Sequence, residues 1–190
     1  MAMSEPGATT PDVVDLLKAQ HEQVKALFAR LKNLSGEAAQ EPFDDLRRLL
    51  AVHETAEEEV VYPVLRRQGA DDVVQARLAE EGDAKGVLAD LEKKGPGAPT
   101  FASELAGFEK AVLSHAEAEE REVFPRLIKD VTSDERRKMG QAVLAAEAIA
   151  PTHPHPKGPE SAIGNLIVGP FVAMVDRVRD AIQEHTRKAG

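Results

Sequence analysis

Apolar residues along this chain recur at spacings of three and four, which line up on one face of an α-helix. Val14, Leu17, Val24, Phe28 and Leu31 form a first stripe, with His21 in the same register. Thr10-Pro11-Asp12 ahead of it predicts a hydroxyl N-cap, a proline at the first helical position and an acid in the first turn. Asn33 to Gly36 ends the helix. A second stripe runs through Phe43, Leu46, Leu49, Leu50, His53, Glu57, Val60 and Val64 and stops at Gln68-Gly69. A third uses Val74, Leu78, Glu81, Leu88 and Leu91, ending at Gly95-Pro96-Gly97. A fourth uses Leu105, Phe108, Val112, His115 and Glu119 and continues toward Leu127. No β-branched alternation competes with these stripes. The prediction is an all-α fold: an antiparallel up-down-up-down four-helix bundle over residues 11–130.

Residues 131–190 read as a C-terminal helical extension. Ser133 to Ala148 is a short helical stretch, Pro151 to Pro159 a stiff proline-rich linker, and Phe171 to Thr186 an amphipathic helix expected to pack on the outside of the bundle.

The chain also repeats itself. His53-Glu-Thr-Ala-Glu-Glu-Glu-Val-Val-Tyr-Pro-Val-Leu65 superposes without a gap on His115-Ala-Glu-Ala-Glu-Glu-Arg-Glu-Val-Phe-Pro-Arg-Leu127. The segment His21 to Leu31 aligns in the same way with Glu81 to Leu91, setting Lys25 on Lys85. The bundle is therefore expected to be two αα-hairpins, each with one helix of either type.

Residues four apart lie about 40° apart around a helix, so His53 and Glu57 share a face, as do His115 and Glu119. Both pairs sit on the apolar stripe, where a carboxylate costs several kcal/mol unless a proton or cation neutralises it. His21 and Glu81 add one polar group each to the remaining stripes. Glu81 is better centred than its neighbour Glu80, among Leu78, Ala84 and Leu88. Glu58, Glu59, Glu120 and Arg121 fall off the stripe and read as solvated surface. Glu122 reads as a supporting or bundle-end charge. Tyr62 and Phe124, each before a proline, read as packing. His153, His155 and His185 read as ordinary linker or surface residues.

Composition narrows the chemistry. The chain has no cysteine, which excludes disulfides, thiolate metal sites and cysteine nucleophiles. Any metal must be held by oxygen and imidazole, a donor set that suits iron or manganese. Three imidazoles and three carboxylates (His21, His53, His115, Glu57, Glu81 and Glu119) suit two ions better than one, with Glu57 and Glu119 as the bridges. A dinuclear iron centre with an open position binds O2, peroxide or NO. A ferritin-like arrangement fits less well, because that class uses Glu-x-x-His and this chain reads His-x-x-x-Glu. The 24 basic and 33 acidic residues give a net charge of −9, which argues against a nucleic-acid partner. Met1 to Asp12 has no signal-peptide core, and Ile163 to Val175 is too short and interrupted to span a membrane. The expected location is the cytoplasm.

With His21, His53…Glu57 before Tyr62-Pro63, and His115…Glu119 before Phe124-Pro125, the chain resembles the hemerythrin-like (HHE cation-binding) family over roughly residues 11–130. The resemblance implies a four-helix bundle around two non-haem iron ions, oxo- or hydroxo-bridged. Family roles include O2 carriage, oxygen or iron sensing, handling of NO and peroxide, and repair of iron centres. The family usually has His on helix three, where this chain has Glu81. A more anionic ligand set stabilises ferric iron and disfavours reversible O2 carriage. The expectation is therefore reaction with O2 or peroxide in a redox-stress response, with catalase-like peroxide decomposition as its enzymatic form. The alternative is a non-enzymatic oxygen, iron or NO sensor, or an iron-binding module, signalling through the C-terminal segment.

Overall fold

A computed structural model of the chain describes residues 10–149. The linker and last helix expected after residue 150, with His153, His155 and His185, lie outside the described residues. Four long helical runs fold back and forth as two hairpins, with α1 (Val13–Leu31) packed along α2 (Glu37–Ala56), and α4 (Asp71–Lys94) along α5 (Phe101–Glu122). This is the all-α up-down-up-down bundle that the stripes predict.

Three local features depart from the sequence reading. The N-cap of α1 is Asp12 rather than Thr10, and Pro11 lies outside the helix. The Asp12 carboxylate accepts from Val14 N at 3.0 Å and also receives Arg136 at 2.6 Å, two charge-strengthened bonds that a Thr10 cap could not offer. The second helix is not continuous. α2 opens into a π-helical turn, Glu57–Val61, before α3 (Tyr62–Arg67) resumes the α-helix. Pro63 has no N–H for the carbonyl of Glu59, and the wider turn stands immediately before it. The fourth helix likewise breaks at Val123, and α6 (Phe124–Asp130) restarts with Pro125 in its first turn.

The interior is divided into two apolar clusters. One gathers Leu17, Tyr62, Leu65, Val74, Phe124 and Leu127. The other gathers Phe28, Phe43, Leu46, Leu91, Phe101 and Phe108. Every long helix crosses from one cluster to the other through a short polar interval. On α1 the interval is Gln20-His21, between Leu17 and Val24. On α5 it holds His115 and Glu119, between Val112 and the capping residue Val123. The site occupies this polar slab.

α7 (Ser133–Ile149) closes the first cluster by burying Met139, Ala142 and Val143 against α1. The approach is close: a Cβ on Gly140 would lie 2.2 Å from the carbonyl oxygen of Pro11. Among the described residues no helix is long and apolar enough to cross a membrane.

Candidate metal centre

The bundle brings together all six side chains that the stripes single out. His21, His53, Glu57 and Glu119 offer ligand atoms within 4.8 Å of one another, and so do Glu57, Glu81, His115 and Glu119. Glu57 and Glu119 belong to both groups. Glu57 and Glu119 are 0 % exposed and Glu81 1 %, so the carboxylates are withdrawn from water altogether.

Each imidazole is fixed through its outer nitrogen. Nδ1 of His21 lies 2.9 Å from Glu120 Oε1, that of His53 2.7 Å from Gln20 Oε1, and that of His115 2.8 Å from Glu80 Oε2. A carboxylate or amide oxygen only accepts, so in each neutral ring Nδ1 carries the proton and Nε2 turns a lone pair to the centre. Nε2 of His21 and Nε2 of His53 stand 3.1 Å apart. Two lone pairs at that distance repel unless a proton or a cation stands between them. The histidines reach the shared carboxylate too: Nε2 of His21 and of His115 are each 3.3 Å from an oxygen of Glu119.

The electrostatics point the same way. Burial, with the charges of Glu119 and Glu81 behind it, pushes the Glu57 carboxyl well above the usual carboxylate range. Burial likewise raises Glu81, to about 8. For Glu119 burial acts upward, but the imidazoles of His115, His21 and His53 around it hold it well below its ordinary value. Burial lowers His53. On His115 burial opposes the charge, yet Glu119 and Glu80 outweigh it and raise the ring to about 9.

Several ligand atoms have no hydrogen-bond partner: both oxygens of Glu57, Oε2 of Glu81, Oε2 of Glu119 and Nε2 of His115. Buried polar atoms are ordinarily satisfied, and each orphan costs about 1–3 kcal/mol. Here the orphans converge on one volume and are all good donors to a hard or borderline cation. The residues present fit a metal pair.

Four residues that the stripes left aside also shape the site. Glu120, read as solvated surface, holds His21, and Glu80, passed over in favour of Glu81, holds His115. Gln20 holds His53 and carried no signal beyond its place in the repeat, where it aligns with Glu80. Tyr62, read as packing, lies with its hydroxyl 2.5 Å from Glu81 Oε1 and 3.0 Å from Glu119 Oε1. Phe124 does pack, but against the site, stacked on His21 with centroids 5.6 Å apart. Glu122 pairs with Arg121 and touches none of the six. A cavity of about 30 Å³ adjoins the centre, lined by His21, His53, Glu81 and His115 with Val24 and Leu50.

A helical bundle whose buried histidines and carboxylates face one another across an apolar core defines a class of cation-binding four-helix proteins. The sequence profile of the hemerythrin HHE cation-binding domain matches residues 12–127, and the chain belongs to that family. It is 25 % identical over 138 residues to a DNA nickase of Nostoc sp., covering 72 % of this chain and 39 % of the nickase. It is also 25 % identical over 138 residues to an uncharacterized hemerythrin-like protein of Schizosaccharomyces pombe, covering 71 % of this chain and 68 % of that one. The chain thus spans about two fifths of the length of the Nostoc relative. The crystal structure of a hemerythrin HHE cation-binding domain-containing protein from Mycobacterium kansasii has the same fold, with a TM-score of 0.66 at 22 % identity over 87 % of this chain and 98 % of that one.

Proposed function

We propose that this protein is a non-haem di-iron protein that binds or reacts with O2 or peroxide. The observation that carries the reading is the pair of overlapping ligand groups, several of whose buried donor atoms have no hydrogen-bond partner. His21 and His53 would hold one ion, Glu81 and His115 the other, with Glu57 and Glu119 between them. A di-iron pair so held supplies reversible one- and two-electron chemistry toward small oxidants.

The chain's own residues supply the rest. Gln20, Glu80 and Glu120 fix the imidazole rings, which keeps each Nε2 aimed inward without a further loss of side-chain entropy. The Tyr62 hydroxyl lies beside two carboxylates, and burial raises its pKa. It therefore stays a neutral donor at the edge of the centre. The cavity of about 30 Å³ has room for a ligand the size of water, O2 or peroxide.

The test is an optical spectrum of the iron-loaded protein before and after peroxide, with dissolved oxygen followed in the same cuvette. The expected result is a di-ferric absorption that shifts or bleaches on peroxide addition. Oxygen evolution would mark catalase-like turnover, and its absence a binding or sensing role. A spectrum indifferent to both O2 and peroxide would contradict the reading.

A further inference from the structure

The two hairpins repeat each other around the site, with one consistent break. α1 offers His21, and Phe124 of the other hairpin stacks its ring on that imidazole. α4 offers Glu81 at the equivalent place, and the residue equivalent to Phe124 is Tyr62, whose hydroxyl reaches the Glu81 carboxylate. Glu120 accepts from His21. Its counterpart Glu58 has no imidazole to receive and is held instead by Lys85 at 2.5 Å. The same ammonium stands 3.7 Å from Glu81 Oε2 and 3.5 Å from Glu54 Oε2. A hydroxyl and an ammonium thus surround the carboxylate, where a phenyl face and a carboxylate surround the imidazole. The neighbourhood of each residue is matched to its chemistry, so Glu81 is a built difference between the two halves.

This difference divides the donors unequally. One group has two imidazoles and the two shared carboxylates, and the other has one imidazole and three carboxylates. Imidazole nitrogen suits zinc, copper, nickel and iron, whereas carboxylate oxygen favours harder ions such as manganese.

We infer that the two metal positions have different preferences: a nitrogen-preferring divalent ion at His21 and His53, and a hard, oxygen-preferring divalent ion at Glu81 and His115. The chain is then suited to a mixed metal pair. The inference rests on the metal-pair reading of the site and adds that its halves are selective.

Metal competition tests it on the full chain. The apo-protein receives one equivalent of zinc and an excess of manganese, unbound ions are removed, and bound metal is measured with the manganese paramagnetic resonance spectrum. The expected product holds one zinc and one manganese, with the signal of an isolated manganese ion. Glu81→Gln should lose the manganese and keep the zinc, and Glu81→His should give manganese–manganese and zinc–zinc pairs in place of the mixed one. If the wild type itself gives those scrambled pairs, with coupled manganese signals, the selectivity is overturned while the metal pair stands. A wild-type chain that retains neither ion overturns the metal pair and the selectivity together.

Discussion

Glu57 is the residue under the greatest electrostatic load. It is 0 % exposed, neither of its oxygens has a hydrogen-bond donor, and two further carboxylates stand close by. Without a cation it must keep a proton, and Glu81 does the same up to about pH 8. Their raised values fix the sign of a pH effect. A carboxyl whose folded pKa lies above its ordinary 4.5 stabilises the fold fully below that value and loses the contribution as pH rises through the folded value. His115, raised from 6.5 to about 9, acts in the same direction. His53, lowered by burial, acts in the opposite direction only below its ordinary 6.5. The metal-free protein should therefore lose melting temperature between about pH 6.5 and pH 9, and a metal-loaded sample should lose much less. Thermal melts across that range check this, and a flat metal-free profile would contradict it. Tyr62 gives a second prediction. Tyr62→Phe removes the hydroxyl that both Glu81 and Glu119 face, and metal affinity should fall ~10–100-fold, the usual cost of losing a partner that orients a ligand. An isotherm unchanged by the substitution would show that the hydroxyl only fills space. The metal-facing residues were legible because a carboxylate or imidazole on an apolar stripe is a visible anomaly. Their supports were not. Gln20, Glu80 and Glu120 lie one position away from a ligand, at angles that a single-helix pattern assigns to solvent. They become inward contacts only because a second helix passes there.

At the scale of elements, the repeat predicted which helices pair, since each hairpin needs one helix of either type, and the Gly/Pro punctuation set the turns. The π-helical turn at Glu57–Val61 escaped that reading, because a stripe with spacings of three and four does not register one widened turn. It begins at Glu57, one turn after His53, while the second copy stays α-helical through Glu119 to Glu122. The two otherwise matching segments therefore differ in backbone at the site itself. α7 is the other element with a clear mechanical role. Its contact with α1 depends on the missing side chain of Gly140, where a methyl group would meet the Pro11 carbonyl at 2.2 Å. Arg136 ties the same two segments through Asp12 at 2.6 Å and is itself steadied by the Val131 carbonyl at 2.7 Å, just ahead of α7. Gly140→Ala should accordingly destabilise the protein by about 1–3 kcal/mol through overpacking, despite alanine's better helix propensity. Chemical denaturation measures it, and a neutral or stabilising result would mean that α7 is not seated on α1.

The whole molecule is a bundle with its core cut in two by a polar layer. Packing alone would favour an uninterrupted apolar core, and replacing buried ionic groups with apolar ones is commonly neutral or stabilising. Retaining three buried carboxylates and three histidines in one layer therefore makes sense as a metal centre and not as a stability device. The net charge of −9 counts those carboxylates as free anions. Two bound divalent cations would bring the charge of the working protein to about −5 at pH 7 if all three are ionised in the metal-bound protein. The most direct measurement is the iron content of the full chain after anaerobic loading with ferrous iron and removal of the unbound metal. The account predicts two irons per chain, with the second lost in Glu57→Ala. Well under one iron per chain would contradict it.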